Sequence, residues 1–146
     1  MPDPITILEL GPDHLDLLMS VRDGLFDNPI HPDQAENFLN DPGHLMFLAM
    51  DGEEAVGMAS AVITYHPDKA PILFVSEVGV RDSHQRQGIA TKLSEHLLAK
   101  GTALGCEGAW LATEVENTPA RKLYQRLKGR EIGDIVVYDW GDSGEP

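Results

Sequence analysis

The most distinctive run of polar residues in the sequence is Gln85-Arg86-Gln87-Gly88-Ile89-Ala90, which follows an apolar segment and opens a helical pattern. The first turn of a helix leaves backbone N–H groups without partners, and the helix dipole makes that end positive. Gly88 and Ala90 are small, so a phosphate can approach the main chain closely. The side chains of residues 85–87 add further donors. The run therefore predicts an anion site, although it matches neither a Rossmann fingerprint nor a Walker loop.

A second segment with chemical potential is Asn117-Thr118-Pro119-Ala120-Arg121-Lys122-Leu123-Tyr124. Asn117 is typical of a helix N-cap, and that role alone would explain it. Tyr124 either packs as a half-buried aromatic residue or serves as an acid, because a phenol keeps its proton at neutral pH and can pass it to a stronger base.

The elements that must position these segments follow from periodicity and from glycine and proline punctuation. Short turns predict antiparallel pairing of the long strands, and the strand-helix-strand unit over 72–115 predicts a parallel crossover. The chain is therefore expected to be an α/β or α+β fold with a mixed sheet, in a single domain over 1–146. The predicted elements are strands at 5–10, 45–50, 55–65, 72–80, 109–115 and 132–140, helices at about 12–24, 32–40, 88–104 and 117–127, and a loose tail at 141–146.

Charge and composition exclude some classes of function. The net charge of -13 argues against nucleic acid, whose phosphates need Lys and Arg. Residues 1–70 hold 13 acidic residues against two basic ones, a net -11, whereas residues 71–146 are near neutral. This asymmetry fits simple solubility, or an anionic cofactor on the second half and a cationic substrate on the first. The absence of a long apolar run predicts no membrane span and a cytoplasmic protein. The scattered histidines and the lone Cys106 predict no metal site.

Gln85-x-x-Gly88-x-Ala90 resembles the pyrophosphate signature of the GCN5-related N-acetyltransferases (GNAT), and the order of elements resembles that family over nearly the whole chain. The resemblance implies a mostly antiparallel central sheet, helices on both faces, and a splayed parallel strand pair that holds acetyl-coenzyme A. It implies main-chain contacts from β-strand residues to the pantetheine arm and from the loop to the pyrophosphate. The cofactor residues implied are Val78, Gly79, Val80, Gln85, Arg86, Gln87, Gly88, Ile89, Ala90, Thr91, Asn117 and Tyr124.

The resemblance also implies catalytic roles in direct acetyl transfer to an amine. Tyr124 would protonate the leaving thiolate. The attacking ammonium must first lose a proton, and a carboxylate can accept it directly or through a water. Glu77 is the first choice for this base, because members of the family often carry an acid there, and Glu114 is the second. Each interrupts an apolar strand, which also fits a solvated acid at a strand end. Glu116 and His84 are weaker candidates.

Residues 73–95 and 119–124 resemble most the aminoglycoside 3-N-acetyltransferases. In the family the two N-terminal helices line the acceptor cleft, so Asp23, Asp27, Asp33 and Glu36 are candidate contacts for a small cationic amine. A polyamine, a free amino acid, a lysine or a protein N-terminus would also fit. A non-catalytic acyl-coenzyme A sensor on the same fold remains the alternative. The last predicted strand, with Val136, Val137, Tyr138 and Trp140, could form a homodimer interface.

Overall fold

A computed structural model describes residues 4–141 of the chain. The chain divides into two compact units, Met1–Thr113 and Glu114–Pro146. Each is described by itself, and the single domain over 1–146 stays a prediction. Of the predicted loose tail at 141–146, all but Gly141 lies outside the described residues.

The first unit is built on a five-stranded sheet whose spatial order is the order along the chain. Neighbouring strands are antiparallel, except that the last two are parallel. This is the predicted mixed sheet, and the GNAT-like fold class is confirmed. The strands are β1 (Thr6–Glu9), β2 (His44–Asp51), β3 (Glu54–Thr64), β4 (Ile72–Val80) and β5 (Gly108–Trp110).

Helices cover both faces of this sheet. They are α1 (Leu15–Met19), α2 (Pro32–Asn40) and α3 (Ile89–Ala103), with short 3-10 turns at Pro12–His14 and Asp82–His84. Leu45, Phe47 and Ala49 of β2 join the core cluster under α3, while alternate residues of β2 join a second cluster with α1 and α2. Because successive side chains of a strand point to opposite faces, the two clusters lie on opposite sides of the sheet.

The predicted helix at 88–104 is confirmed, and its apolar stripe is the reason that it docks. Ile89, Leu93 and Leu97 recur every four residues and are at most 2% exposed. A Cβ at Gly57 of β3 would lie 3.0 Å from side-chain atoms of Ile89 and Leu93. A glycine is therefore needed where α3 crosses this strand.

Two elements of the first unit are shorter than predicted. The first helix, expected at about 12–24, is α-helical only from Leu15 to Met19, and β5 stops at Trp110 instead of residue 115. After α1, the carbonyl groups of Arg22 and Asp23 accept hydrogen bonds from the side chain of Arg81. They are therefore drawn away from a helical path.

The second unit contains α4 (Thr118–Arg126), which agrees with the helix predicted from Asn117. The predicted last strand at 132–140 is wrong for the single chain, because no strand forms there. A strand requires a partner, and none of the described strands pairs with this segment. Its large apolar side chains are 59–85% exposed.

None of the helices within residues 4–141 is long and apolar enough to cross a membrane. The cytoplasmic location stays a prediction.

Candidate active site

The parallel pair β4 and β5 is joined over only three residues. Pairing runs from Ile72 opposite Gly108 to Phe74 opposite Trp110, where the two rings lie 4.5 Å apart between centroids. Beyond this point no described strand pairs with β4 on that side. The main chain of residues 75–80, including Val78, Gly79 and Val80, is therefore open to a ligand along one edge. This agrees with the predicted splayed pair.

A β-bulge interrupts β4 next to the candidate base. Ala61 of β3 lies opposite Val75, whereas Ser60 lies opposite Glu77, so Ser76 is the extra residue. A bulge bends its strand and turns the following side chains. Glu77, which follows the bulge, is exposed, as a carboxylate in an otherwise apolar strand should be.

The loop between β4 and α3 has the geometry of an anion site. Gly88 is the N-cap of α3 with φ +79°, and a Cβ there would meet nothing within 4 Å. Arg86 is also left-handed, with φ +64°. The carbonyl of Gly88 accepts the N–H of Lys92, so the N–H groups of residues 89–91 lack acceptors within the helix. Donors without helical partners and an exposed glycine thus meet at the positive end of a fifteen-residue helix.

The side chain of Gln85 was predicted to donate to a phosphate, but in the structure it donates to groups of its own loop. Its amide nitrogen donates to the carbonyl of Val80 at 3.3 Å and to Oδ1 of Asp82 at 3.0 Å. Arg86 and Gln87 are exposed. Among the three predicted polar donors, Gln85 therefore holds the loop in shape.

His84, a weaker candidate for the base, has a structural contact. Its Nε2 lies 2.8 Å from Oδ2 of Asp51, and its Nδ1 lies 2.7 Å from Oγ of Ser83. The contact with Asp51 attaches the loop between β4 and α3 to the turn between β2 and β3.

The second unit holds Asn117 and Tyr124 on α4. Asn117 is the predicted N-cap, and its Oδ1 accepts the N–H of Ala120 at 3.2 Å. Tyr124 is half-buried, and this burial raises the pKa of its phenol above the usual value. A phenol in this environment remains a proton donor over the physiological range.

Glu114 differs from its predicted position. It lies in the segment after β5 rather than at the end of a strand, and its carbonyl accepts the N–H of Asn117 at 3.0 Å. Glu116 lies in the same turn and is exposed. The strand ends early because its pairing with β4 ends at Trp110.

Sequence reasoning missed an ion pair that braces the second unit. The guanidinium of Arg121 binds both carboxylate oxygens of Glu131, at 3.0 and 3.1 Å, and donates to the carbonyl of Val115 at 2.9 Å. The hydrogen bonds from Arg121, and then its positive charge, lower the pKa of Glu131, and the same hydrogen bonds and the charge of Glu131 raise the pKa of Arg121. Only the complementary charges ten residues apart could have suggested it.

The candidate acceptor residues are exposed carboxylates on or near α1 and α2. Asp33 lies in the first turn of α2, where its charge suits the helix dipole. The four residues are Asp23, Asp27, Asp33 and Glu36. No group of three or more His, Cys, Asp or Glu within residues 4–141 is arranged to hold a metal ion.

Comparison with known proteins places the chain in a family. The model of the acetyltransferase (GNAT) family matches residues 14–129. The chain therefore belongs to the acetyltransferase (GNAT) family, and the prediction of an N-acetyltransferase that uses acetyl-coenzyme A is confirmed.

Individual relatives refine this placement. Aminoglycoside N(6')-acetyltransferase type 1 of Salmonella typhimurium is 30% identical, over 90% of this chain and 96% of that protein. N-alpha-acetyltransferase 30 of Homo sapiens is 31% identical, over 62% of this chain and 25% of that protein. The solved structure of aminoglycoside acetyltransferase AAC(6')-Iy with a coenzyme A bisubstrate analogue is 26% identical with a TM-score of 0.80, and the match covers 96% of this chain and 100% of that one.

These relatives correct one prediction. The likeness to aminoglycoside 3-N-acetyltransferases is wrong, since the aminoglycoside relatives are of the 6' type. The segments that suggested it, 73–95 and 119–124, hold the predicted cofactor contacts and the candidate acid and base. They carry no information about which amine of an acceptor reacts.

Proposed function

We propose that this enzyme transfers the acetyl group of acetyl-coenzyme A to a primary amine of a small polycation of the aminoglycoside kind. The observation that carries the proposal is the charge of residues 1–70, a net -11, on the half of the chain that includes α1 and α2. The 6'-acetyltransferase relative from Salmonella typhimurium supports it.

The loop between β4 and α3, residues 81–88, which we call the cofactor loop, binds the pyrophosphate of coenzyme A together with the start of α3. The open edge of β4 binds the pantetheine arm. The N–H groups of residues 89–91, at the positive helix end beside Gly88, suit the pyrophosphate. The edge of β4 at Val78, Gly79 and Val80 that faces away from β3 has no neighbouring strand, and it suits the amides of the pantetheine arm, which would add to the sheet edge like a strand. The carbonyl of Val80 also accepts from Gln85, so this end of β4 is held in place.

Glu77 and Tyr124 divide the proton transfers. Glu77 accepts the proton of the ammonium, directly or through a water, and the free amine attacks the thioester carbonyl. A C–N bond forms and the C–S bond breaks, and the nitrogen then gives its second proton to the Tyr124 phenolate or to solvent, so that a neutral amide remains. Tyr124 gives its phenolic proton to the departing sulfur, and burial raises the pKa of this phenol, so that it is protonated when the thiolate leaves. Glu77 is preferred over Glu114 because it lies on the open part of β4 beside the bulge.

Recognition of the cationic acceptor would depend on long-range electrostatic attraction. Asp23, Asp27, Asp33 and Glu36 are exposed, so each attracts a cation weakly on its own and the attraction is screened by salt. Together they raise the encounter rate and affinity for a polycation far more than for a monoamine.

A panel of amines tests the acceptor class. Release of the coenzyme A thiol would be followed with an aminoglycoside, a linear polyamine, a free amino acid and a peptide with a free N-terminus. We expect the aminoglycoside to have the highest kcat/KM, with a steep decrease at high salt. A preference for the peptide, or a salt-independent kcat/KM, would contradict the proposal and favour a protein N-terminal acetyltransferase.

We also propose that residues 132–140 form a homodimer by pairing with the outer edge of β5 in a second copy. The segment carries Tyr138, which is 76% exposed, and Trp140, which is 85% exposed, beside four exposed aliphatic residues. β5 is the edge strand of the sheet, with β4 on one side only. Such an edge offers unpaired backbone groups to another strand.

The size and symmetry of this contact suit a stable dimer. Two aromatic side chains bury roughly 300 Å² or more, and the aliphatic residues and backbone bring each copy toward the approximately 800 Å² of a standard interface. Each copy has one donor segment and one acceptor edge, and a reciprocal exchange between two copies would have twofold symmetry.

Light scattering during size exclusion tests this assembly with a matched pair of variants. Tyr138→Asp should convert dimer to monomer. Tyr65→Asp is the control, because Tyr65 is 73% exposed in the loop before β4. A wild-type monomer, or a dimer that withstands Tyr138→Asp, would refute the assembly.

A further inference from the structure

Arg81, the residue that follows β4, is a buried cation in the first unit. Its exposure is 9%, and it is the sole charged residue among the buried side chains of the described chain. Burying a charge is costly unless its donors are satisfied, so its contacts indicate why it is there. Sequence reasoning did not single it out.

The guanidinium of Arg81 is satisfied mainly by main-chain carbonyls. Nε donates to Ala55 at 2.9 Å, one terminal nitrogen to Asp23 at 2.9 Å, and the other to Arg22 at 2.7 Å. Nε also lies 3.7 Å from a carboxylate oxygen of Glu54, which pairs with the side chain of Arg22. The planar fork of arginine can reach several acceptors at fixed angles, whereas lysine offers a single point charge.

The contacts to Arg22 and Asp23 determine the path of the segment after α1, which we define as the acceptor loop, residues 22–24. Gly24 has φ +103°, and a Cβ at this glycine would lie 3.2 Å from Nη1 of Arg81. The main chain of the acceptor loop is therefore closely fitted around the guanidinium. The side chain of Asp23 is left pointing to solvent, since the residue is exposed while its carbonyl is bound.

The main chain of Arg81 lies at the start of the cofactor loop, in the same unit. Its N–H donates to Val56 at 2.8 Å, and its carbonyl accepts the N–H of His84 at 2.9 Å, which forms the 3-10 turn that leads into the cofactor loop. The preceding carbonyl, that of Val80, binds Gln85. One residue therefore has its backbone in the cofactor loop and its side chain in the acceptor loop.

We propose that Arg81 is a positioning residue that holds the acceptor loop in register with the cofactor loop, so that it determines acceptor recognition without touching either substrate. This inference rests on the proposed function only in assigning residues 22–24 to the acceptor. An apolar residue at position 81 could fill the space, but it would leave the carbonyls of Arg22, Asp23 and Ala55 without their donor.

Steady-state kinetics of Arg81→Met and Arg81→Lys test the proposal. For Arg81→Met we expect the KM of a polycationic acceptor to rise about tenfold or more, while the dissociation constant of acetyl-coenzyme A changes less than about threefold. Arg81→Lys should recover part of the loss, and added guanidinium ion should partly rescue Arg81→Ala. Arg130→Met, which removes an exposed arginine, is the matched control.

A purely structural role would give another pattern. Lower stability alone would reduce the active fraction, so kcat would fall while both substrate affinities stayed unchanged and guanidinium gave no rescue. Either that result or parallel losses for both substrates would overturn the proposal.

Hydrogen exchange provides a readout that needs no acceptor. In folded Arg81→Lys, amides of residues 22–25 should exchange faster than in the wild type, while those of α3 stay protected. Unchanged exchange at 22–25 would overturn the proposal. If exchange increases but no amine is acetylated by the wild type, the proposed function fails while the positioning role stands.

Discussion

The side-chain amide nitrogen of Gln85 lies 3.3 Å from the carbonyl oxygen of Val80 and donates a hydrogen bond to it. This bond closes the five-residue connection from the end of β4 back onto the strand, and a second bond to Asp82 reinforces it. The conformation of the loop between β4 and α3 therefore depends on a glutamine side chain that is itself exposed.

Replacing Gln85 by leucine should loosen the loop. Two neutral hydrogen bonds are lost, each with a net contribution of about 1 kcal/mol at most in this exposed position, so we expect acetyl-coenzyme A to bind roughly three- to tenfold more weakly. Calorimetric titration measures this change, with Gln34→Leu on the surface of α2 as the matched control. Unaltered affinity in Gln85→Leu would show that the loop keeps its shape without these bonds.

A pair of substitutions at Gly88 separates strain from charge. Gly88→Gln and Gly88→Glu impose the same bulk and the same strain at φ +79°, but only glutamate adds a negative charge beside the helix end. We expect the glutamate variant to bind acetyl-coenzyme A at least about tenfold more weakly than the glutamine variant, with a smaller difference at high salt. Equal affinities would mean that no phosphate approaches this position.

The elements with strong periodicity could be predicted from the sequence, because their packing repeats the pattern. The stripe of Ile89, Leu93 and Leu97 lies in the core under α3, and the Asn117 cap starts α4 as expected. The geometry of the loop before α3 could be predicted because a helix end is set by local residues, whereas its role in cofactor binding stays a prediction. These parts of the fold depend on residues that are close in sequence.

Features that depend on distant partners could not be predicted in this way. The segment 132–140 has strand composition, yet it forms no strand because composition does not supply a neighbour. The hydrogen bonds from Arg81 to the carbonyls of Arg22 and Asp23 join residues that are nearly sixty positions apart in the sequence. Glu114 lies outside β5 because the pairing of β4 and β5 ends after three residues. No local sequence pattern indicates where this pairing ends.

Removing the charge of Glu77 should lower turnover. Glu77→Gln keeps the shape of the side chain but cannot accept a proton, so we expect kcat to fall roughly a hundredfold with the affinity for acetyl-coenzyme A retained. Glu107→Gln, at an exposed acid before β5, is the control. Should Glu114→Gln lower kcat instead while Glu77→Gln does not, the assignment of the base would pass to Glu114.

Tyr124→Phe should lower kcat by roughly a hundredfold and leave acetyl-coenzyme A affinity within about twofold, since only the phenolic proton is removed. Tyr65→Phe, in an exposed loop, is the control. Unchanged turnover in Tyr124→Phe would remove this tyrosine from the mechanism.

The pH dependence of the wild type gives a separate check on Tyr124. Burial raises the pKa of its phenol above the usual value of about 10, so the phenol keeps its proton over the physiological range and loses it only as pH rises through the raised pKa. The pH profile of kcat should therefore show no decrease due to Tyr124 at physiological pH, and any decrease that it causes should lie at higher pH than for a free phenol. The raised pKa also means that the stability contributed by the protonated phenol is complete below the unfolded pKa and is lost as pH rises through the folded one. A decrease in kcat below the usual phenol range that disappears in Tyr124→Phe would contradict this environment.

The most direct measurement of the central claim is thiol release on mixing the enzyme with acetyl-coenzyme A and an aminoglycoside, with a mass spectrum of the product and a thermal shift for cofactor binding. We predict a thermal shift with acetyl-coenzyme A, followed by one thiol released for each acetyl group found on an acceptor amine. A thermal shift without thiol release for the aminoglycoside or any other amine in the panel would contradict the account and identify a sensor of the cofactor.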